Sequence, residues 1–172
     1  MLTDVGEYLV GAYLQLVEHC DVVDYNVRPP GGGLQGLSEL DVVGLNFKTK
    51  TVFLCEVATH IRGVLYKNNQ ETVRRIRAKH KRQKEYAAKY LSDFTDCRFQ
   101  FWSPVVPRGY VTDKLKEITG LEAIINEEYK ARVEQLQELA RNTTHDTRNP
   151  VFRVLQILGH LRGPKSSPLP NA

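Results

Sequence analysis

Glu39-Leu40-Asp41-Val42-Val43-Gly44-Leu45-Asn46-Phe47-Lys48-Thr49-Lys50-Thr51-Val52-Phe53-Leu54-Cys55-Glu56-Val57-Ala58 is the stretch on which the fold turns. Residues 39 to 47 and 51 to 58 are rich in Val, Leu, Phe and Thr, and the polar Lys48-Thr49-Lys50 separates them. That pattern predicts a β-hairpin. Strand side chains alternate between faces, so Glu39, Asp41 and Val43 share one face, and Leu54, Glu56 and Ala58 share one face of the next strand. A two-residue turn at Lys48-Thr49 pairs Phe47 with Lys50 and, counting outward, Asp41 with Glu56; a four-residue loop from Phe47 to Lys50 keeps the same register.

Two carboxylates paired in this way have Cβ atoms roughly 4.5 to 5.5 Å apart and repel unless a cation or proton compensates. Mg²⁺, which takes oxygen ligands, is the natural compensation. The competing reading places both acids at solvated strand ends. Glu56 is the only charge in the run from Val52 to Ala58, which otherwise reads as a buried central strand. Buried carboxylates are rarely left unpaired.

Working outward, residues 4 to 19 place Val5, Leu9, Ala12, Tyr13, Leu16 and Val17 at helical spacing, with Thr3 as the expected N-cap. Val22 to Val27 reads as a strand ending at Arg28-Pro29-Pro30-Gly31-Gly32-Gly33, and the segment Pro29 to Gly36 as a loop able to close over a duplex or to act only as a connector. Residues 67 to 91 lack Pro and Gly and put Val73, Ile76, Ala87, Tyr90 and Leu91 on one stripe, which predicts a long, very basic helix. Cys97 to Trp102 follows as a strand, Thr112 to Ile118 as a short helix, Leu121 to Ile125 as a strand, and Asn126 as the cap of a helix to about Arg141. A last helix starts near Pro150 and stops at Gly163-Pro164. The expected organisation is a single α/β domain: a core over 1–125, accessory helices over 126–162 packed on it, and a flexible tail over 163–172.

Charge is distributed unevenly along the 172 residues. Residues 1 to 59 carry 3 Lys/Arg against 8 Asp/Glu, residues 60 to 114 carry 13 against 5, and the remainder 8 against 7. Acids can hold a cation while Lys and Arg neutralise phosphates, as metal-dependent phosphodiester chemistry requires. Arg74, Arg75, Arg77, Lys79, Lys81, Arg82 and Lys84 could follow a nucleic-acid backbone; a solvated helix face is the competing reading. The three cysteines, Cys20, Cys55 and Cys97, have no CxxC spacing and suggest neither a disulfide framework nor zinc, and a cytoplasmic location is expected. No signal-like start and no run of about 18 apolar residues is present, so no membrane association is expected.

These residues resemble the PD-(D/E)XK superfamily, and within it small bacterial proteins similar to archaeal Holliday junction resolvases. Gly6-Glu7-Tyr8-Leu9-Val10-Gly11-Ala12-Tyr13-Leu14 resembles the first-helix motif, Tyr25-Asn26-Val27-Arg28 the next strand, Ser38-Glu39-Leu40-Asp41-Val42-Val43 the segment of the metal-binding aspartate, and Phe53-Leu54-Cys55-Glu56-Val57 the strand of the second acid. The resemblance implies a restriction-endonuclease-like α/β fold, a mixed central sheet flanked by helices around an α-β-β-β-α-β core. It also implies a nuclease using Mg²⁺ or Mn²⁺ on DNA, branched or damaged forms included, with Asp41, Glu56 and the main-chain carbonyl of Val57 as ligands and Glu7 supporting them directly or through water.

The pattern departs at one place: the lysine expected two residues after the second acid is Ala58. Lys48 and Lys50 lie too far along the hairpin to replace it. Candidates from elsewhere are His60 and Arg62, on the Glu56 face if the strand continues, and Lys67, Lys79, Lys81 and Lys84, if the long helix overhangs the site. His60 is the candidate catalytic base, with a strand-end polar residue as its competing reading. Gln83 and Tyr86 resemble the glutamine and tyrosine signature of RecB-like nucleases, with packing as the alternative for both and for His80. A binding module for nucleic acid or protein that retains the fold without hydrolysis is the second function, and an acid cluster kept for structure is the third. A homodimer is compatible with all three.

Overall fold

The computed structural model describes residues 3–30, 39–63 and 66–162. The elements follow the order α1 (Val5–Leu16), β1 (Val22–Val27), β2 (Leu40–Asn46), β3 (Thr51–Val57), α2 (Asn69–Tyr90), β4 (Asp96–Ser103), α3 (Tyr110–Lys116), β5 (Leu121–Ile125), α4 (Glu127–Asn142) and α5 (Pro150–Leu161). Residues 31–36 of the expected loop and the tail 163–172 lie outside the described residues.

The five strands form one sheet in the order β1-β2-β3-β4-β5. The first two pairings are antiparallel and the last two parallel. A four-residue loop joins the antiparallel β2 and β3, whereas the parallel strands need crossovers, which α2 and α3 supply. β3 lies at the centre and is buried along nearly its whole length, as a strand covered on both faces must be.

Two layers cover the sheet. On one side Val42, Phe53, Cys55 and Trp102 pack against Val10, Tyr13 and Leu14 of α1, Tyr129 and Leu136 of α4, and Phe152 of α5. On the other, Phe101 packs with Val73 and Ile76 of α2 and Val111 and Leu115 of α3, while Val43, Val52 and Leu54 meet Ala87. The helices expected as accessory therefore complete the core over α1.

Local chemistry moves several expected boundaries. Asp4, not Thr3, caps α1: its Oδ1 accepts the Gly6 N–H at 2.8 Å, and Glu7 closes a capping box. α1 ends at Leu16, short of residue 19, and His19 takes a positive φ of 54° as the chain turns toward β1. Asn126 holds the N-cap position of α4 without capping it; its side chain instead accepts the Val106 N–H at 2.8 Å and donates to the Val106 carbonyl at 3.1 Å. Gly6 is needed for close packing, since a Cβ there would lie 2.0 Å from Thr59 Cγ2. This contact seats the start of α1 on the chain leaving β3. α5 presents Val154, Ile157, Leu158 and Leu161 outward.

Candidate functional site

The hairpin register is Asn46 opposite Thr51 and Val42 opposite Cys55, with residues 47–50 as the connecting loop. One further step sets Asp41 against Glu56. Both side chains lie on the α2 face of the sheet, because they alternate with Val42 and Cys55, which face α1. Glu56 is 3% exposed. Asp41 is half-buried and accepts the Val57 N–H at 2.7 Å through Oδ2, which ties its carboxylate to the end of β3.

The cation between them comes from α2. Lys79 Nζ donates to Glu56 Oε2 and stands 3.9 Å from Asp41 Oδ2. Burial pushes Glu56 up to about 7; Lys79 pulls it back and Asp41 pushes it further. Burial works against the Lys79 ammonium, yet Glu56 and Asp41 together hold its pKa above the ordinary lysine value. The three groups act electrostatically as a unit.

Glu7 approaches from α1 but already has partners. Its Oε2 accepts the Asp4 N–H at 3.2 Å and Asn26 Nδ2 at 3.2 Å. Burial raises its pKa, the hydrogen bonds from Asp4 and Asn26 oppose that, and the Asp41 charge adds to the rise. Among the described residues no three His, Cys, Asp or Glu side chains group as a metal site. The donors at the sheet end are two carboxylates and nearby main-chain oxygens. Mg²⁺ commonly takes one or two protein carboxylates and fills its remaining positions with water and substrate phosphate. The residues present fit an open oxygen-ligand site of that kind, not a closed protein cage.

His60 lies three residues beyond the end of β3. β3 ends at Val57, so the face alternation that would carry His60 to Glu56 stops, and the exposed imidazole instead lies edge-on to Tyr66 at 6.5 Å. Ala58 packs among Val73, Ile76, Phe101 and Val106. A lysine there would enter an apolar cluster, which explains why the cation reaches the acids from another element.

Of the remaining basic residues, Arg74 and Arg75 both pair with Glu71, at 2.7 and 2.9 Å, and Lys81 lies 3.7 Å from Glu85. Arg77, Arg82 and Lys84 are exposed. Gln83 is fully buried and donates to the carbonyls of Leu54 and Gln100 at 2.8 and 3.1 Å, bridging β3 and β4. His80 is also buried, between Gln83 Oε1 at 3.4 Å and the Thr119 carbonyl at 3.2 Å, and Tyr86 packs with Tyr90.

In the sequence Lys79 is one of four lysines on or beside the helix that could reach the acids and one of seven residues in the basic run. The signal that separates it is its place three residues after Ile76 and four before Gln83, both buried against the sheet. Residues at those spacings share a helix face. Lys81 and Lys84 point to solvent. No known family model matches the chain, and no curated protein matches it at a significant level.

Proposed function

We propose that Asp41, Glu56 and Lys79 form the active centre of a metal-dependent phosphodiesterase acting on DNA, built on a restriction-endonuclease-like core. The observation that carries this reading is the Lys79 ammonium set on Glu56 and beside Asp41, which supplies from α2 the cation that Ala58 does not. The order α1-β1-β2-β3-α2-β4 supports the same reading, as does the basic outer face of α2. The free thiols Cys20, Cys55 and Cys97 fit a reducing, cytoplasmic setting.

Asp41, Glu56 and the Val57 carbonyl would hold Mg²⁺ or Mn²⁺, which when bound stabilises charge developing on a phosphate and acidifies a water. Asp41 is kept in place by the Val57 N–H, so its carboxylate is oriented before substrate arrives. Lys79 lowers the cost of two adjacent charges in the free protein. With substrate present, its ammonium is placed to hold a phosphate oxygen or orient the attacking water. Glu7 supports the Asp41 side of the site from one step away.

The same contact favours a second reading, a nonhydrolytic binding module, because Lys79 already compensates the buried acid without any metal. Assays with Mg²⁺ or Mn²⁺ on duplex, single-stranded and branched DNA and on RNA separate the two. The expected result is metal-dependent cleavage of DNA that falls by orders of magnitude in both Glu56→Gln and Lys79→Met. A wild-type protein that binds DNA but cleaves none of these substrates leaves the binding module.

A further inference from the structure

Beside Lys79, on its solvent side, lies a pocket of about 300 Å³ lined by Tyr66, Arg74, Arg75, Ala78, Lys79 and Arg82. The five α2 residues recur at spacings that share one helix face, and the small Ala78 at their centre leaves room above the helix. Arg74 and Arg75 share a single carboxylate, Glu71, whose pKa they hold at about 2. Two guanidiniums on one carboxylate retain a net positive charge. Arg82 is exposed and adds another.

Tyr66 is the part that a solvated basic helix would not need. Its N–H donates to Thr72 Oγ1 at 2.8 Å, and Thr72, fully buried, donates in turn to the Asn68 carbonyl at 2.8 Å. These bonds pin Tyr66 to the first turn of α2. The Arg75 guanidinium lies over the ring, 5.0 Å from its centroid, and His60 stands edge-on to the ring at 6.5 Å. An aromatic ring held beside arginines offers a stacking surface and phosphate donors at one nucleotide's reach, and the combination recognises unpaired nucleic acid.

We propose that this pocket takes one unpaired nucleotide next to the scissile phosphate, its base on Tyr66 and its phosphate on Arg74 and Arg82. The inference rests on nucleic acid being the ligand of the proposed function. It deepens that reading by naming the substrate as a strand with an unpaired, unstacked base at this pocket. A base paired inside a continuous duplex is stacked on both neighbours and offers no free face to the ring.

The test is fluorescence anisotropy in EDTA, so that hydrolysis plays no part, with a labelled single-stranded oligonucleotide and a blunt duplex of equal length. Tyr66→Leu keeps apolar bulk but removes the π-face, and it should weaken single-strand binding about tenfold while changing duplex binding less than twofold. Tyr66→Phe should bind as wild type. An oligonucleotide of abasic units should lose the same factor on the wild-type protein and nothing further on Tyr66→Leu. Equal losses on single strand and duplex, no loss in Tyr66→Leu, or no single-strand binding by the wild type would each overturn the pocket. Tyr66-dependent binding by a protein that never cleaves retains the pocket and removes the hydrolytic reading.

Discussion

Glu56 is an ionisable group on a strand with water on neither face, and its behaviour with pH follows from that setting. Its folded pKa, about 7, lies above the ordinary 4.5. The folded state therefore binds a proton that the unfolded chain releases. Stability from this group is full below pH 4.5 and is lost as pH rises through about 7. A tenfold difference in proton affinity between the folded and unfolded chain is worth about 1.4 kcal/mol, so the loss is of order 3 kcal/mol. Urea unfolding at pH 5 and pH 8.5 in EDTA should show wild type losing more stability across that interval than Glu56→Gln. Equal losses in the two proteins would remove Glu56 as the titrating group. Lys79→Met has the complementary effect: it leaves the carboxylate buried without its partner, at a cost of about 3 to 5 kcal/mol. That cost should be larger at pH 8.5 than at pH 5, where Glu56 can take up a proton.

At the scale of elements, β3 and α2 form the decisive pair. Gln83 satisfies one carbonyl on each of β3 and β4, and Gln83→Leu leaves both buried groups without that donor. Calorimetry should show a loss of about 0.5 to 1.5 kcal/mol for each hydrogen bond removed. Ala58→Lys, which restores the motif lysine in sequence, should be destabilised by several kcal/mol because its neighbours Val73, Ile76, Phe101 and Val106 are apolar. A stable Ala58→Lys that supports cleavage in a Lys79→Met background would show that the position can accept the cation.

The hairpin register was legible because strand side chains repeat every two residues and the loop count fixes the pairing of Asp41 with Glu56. β1 and β5 were legible from their β-branched runs, and the basic helix from its apolar stripe. Lys79 was not singled out because helical periodicity gives a face without saying how far the helix axis slides along the sheet. The strand continuation on which the His60 reading depends stops at Val57, and nothing local in the sequence marks that end. Asp4 and Thr3 are both competent caps in sequence, and the choice was made by tertiary bonds from Thr59 to Asp4 and from Asn26 to Thr3.

For the whole molecule, the sheet divides two interiors that differ in content. The acids and basic helix belong to the α2 side, whereas Trp102, the chain's single tryptophan, is fully buried on the α1 side with Tyr13 at 5.3 Å and its Nε1 donating to Gln100 Oε1 at 2.9 Å. No helix among the described residues is long and apolar enough to cross a membrane. The position of Trp102 gives the protein a built-in optical gauge insulated from its chemistry. Tryptophan emission should remain blue-shifted and unchanged in Glu56→Gln, Lys79→Met and Tyr66→Leu as long as they fold, and should move to the red only when the α1 layer opens. A variant that loses activity with its emission intact has lost a function, and one whose emission shifts has lost its structure.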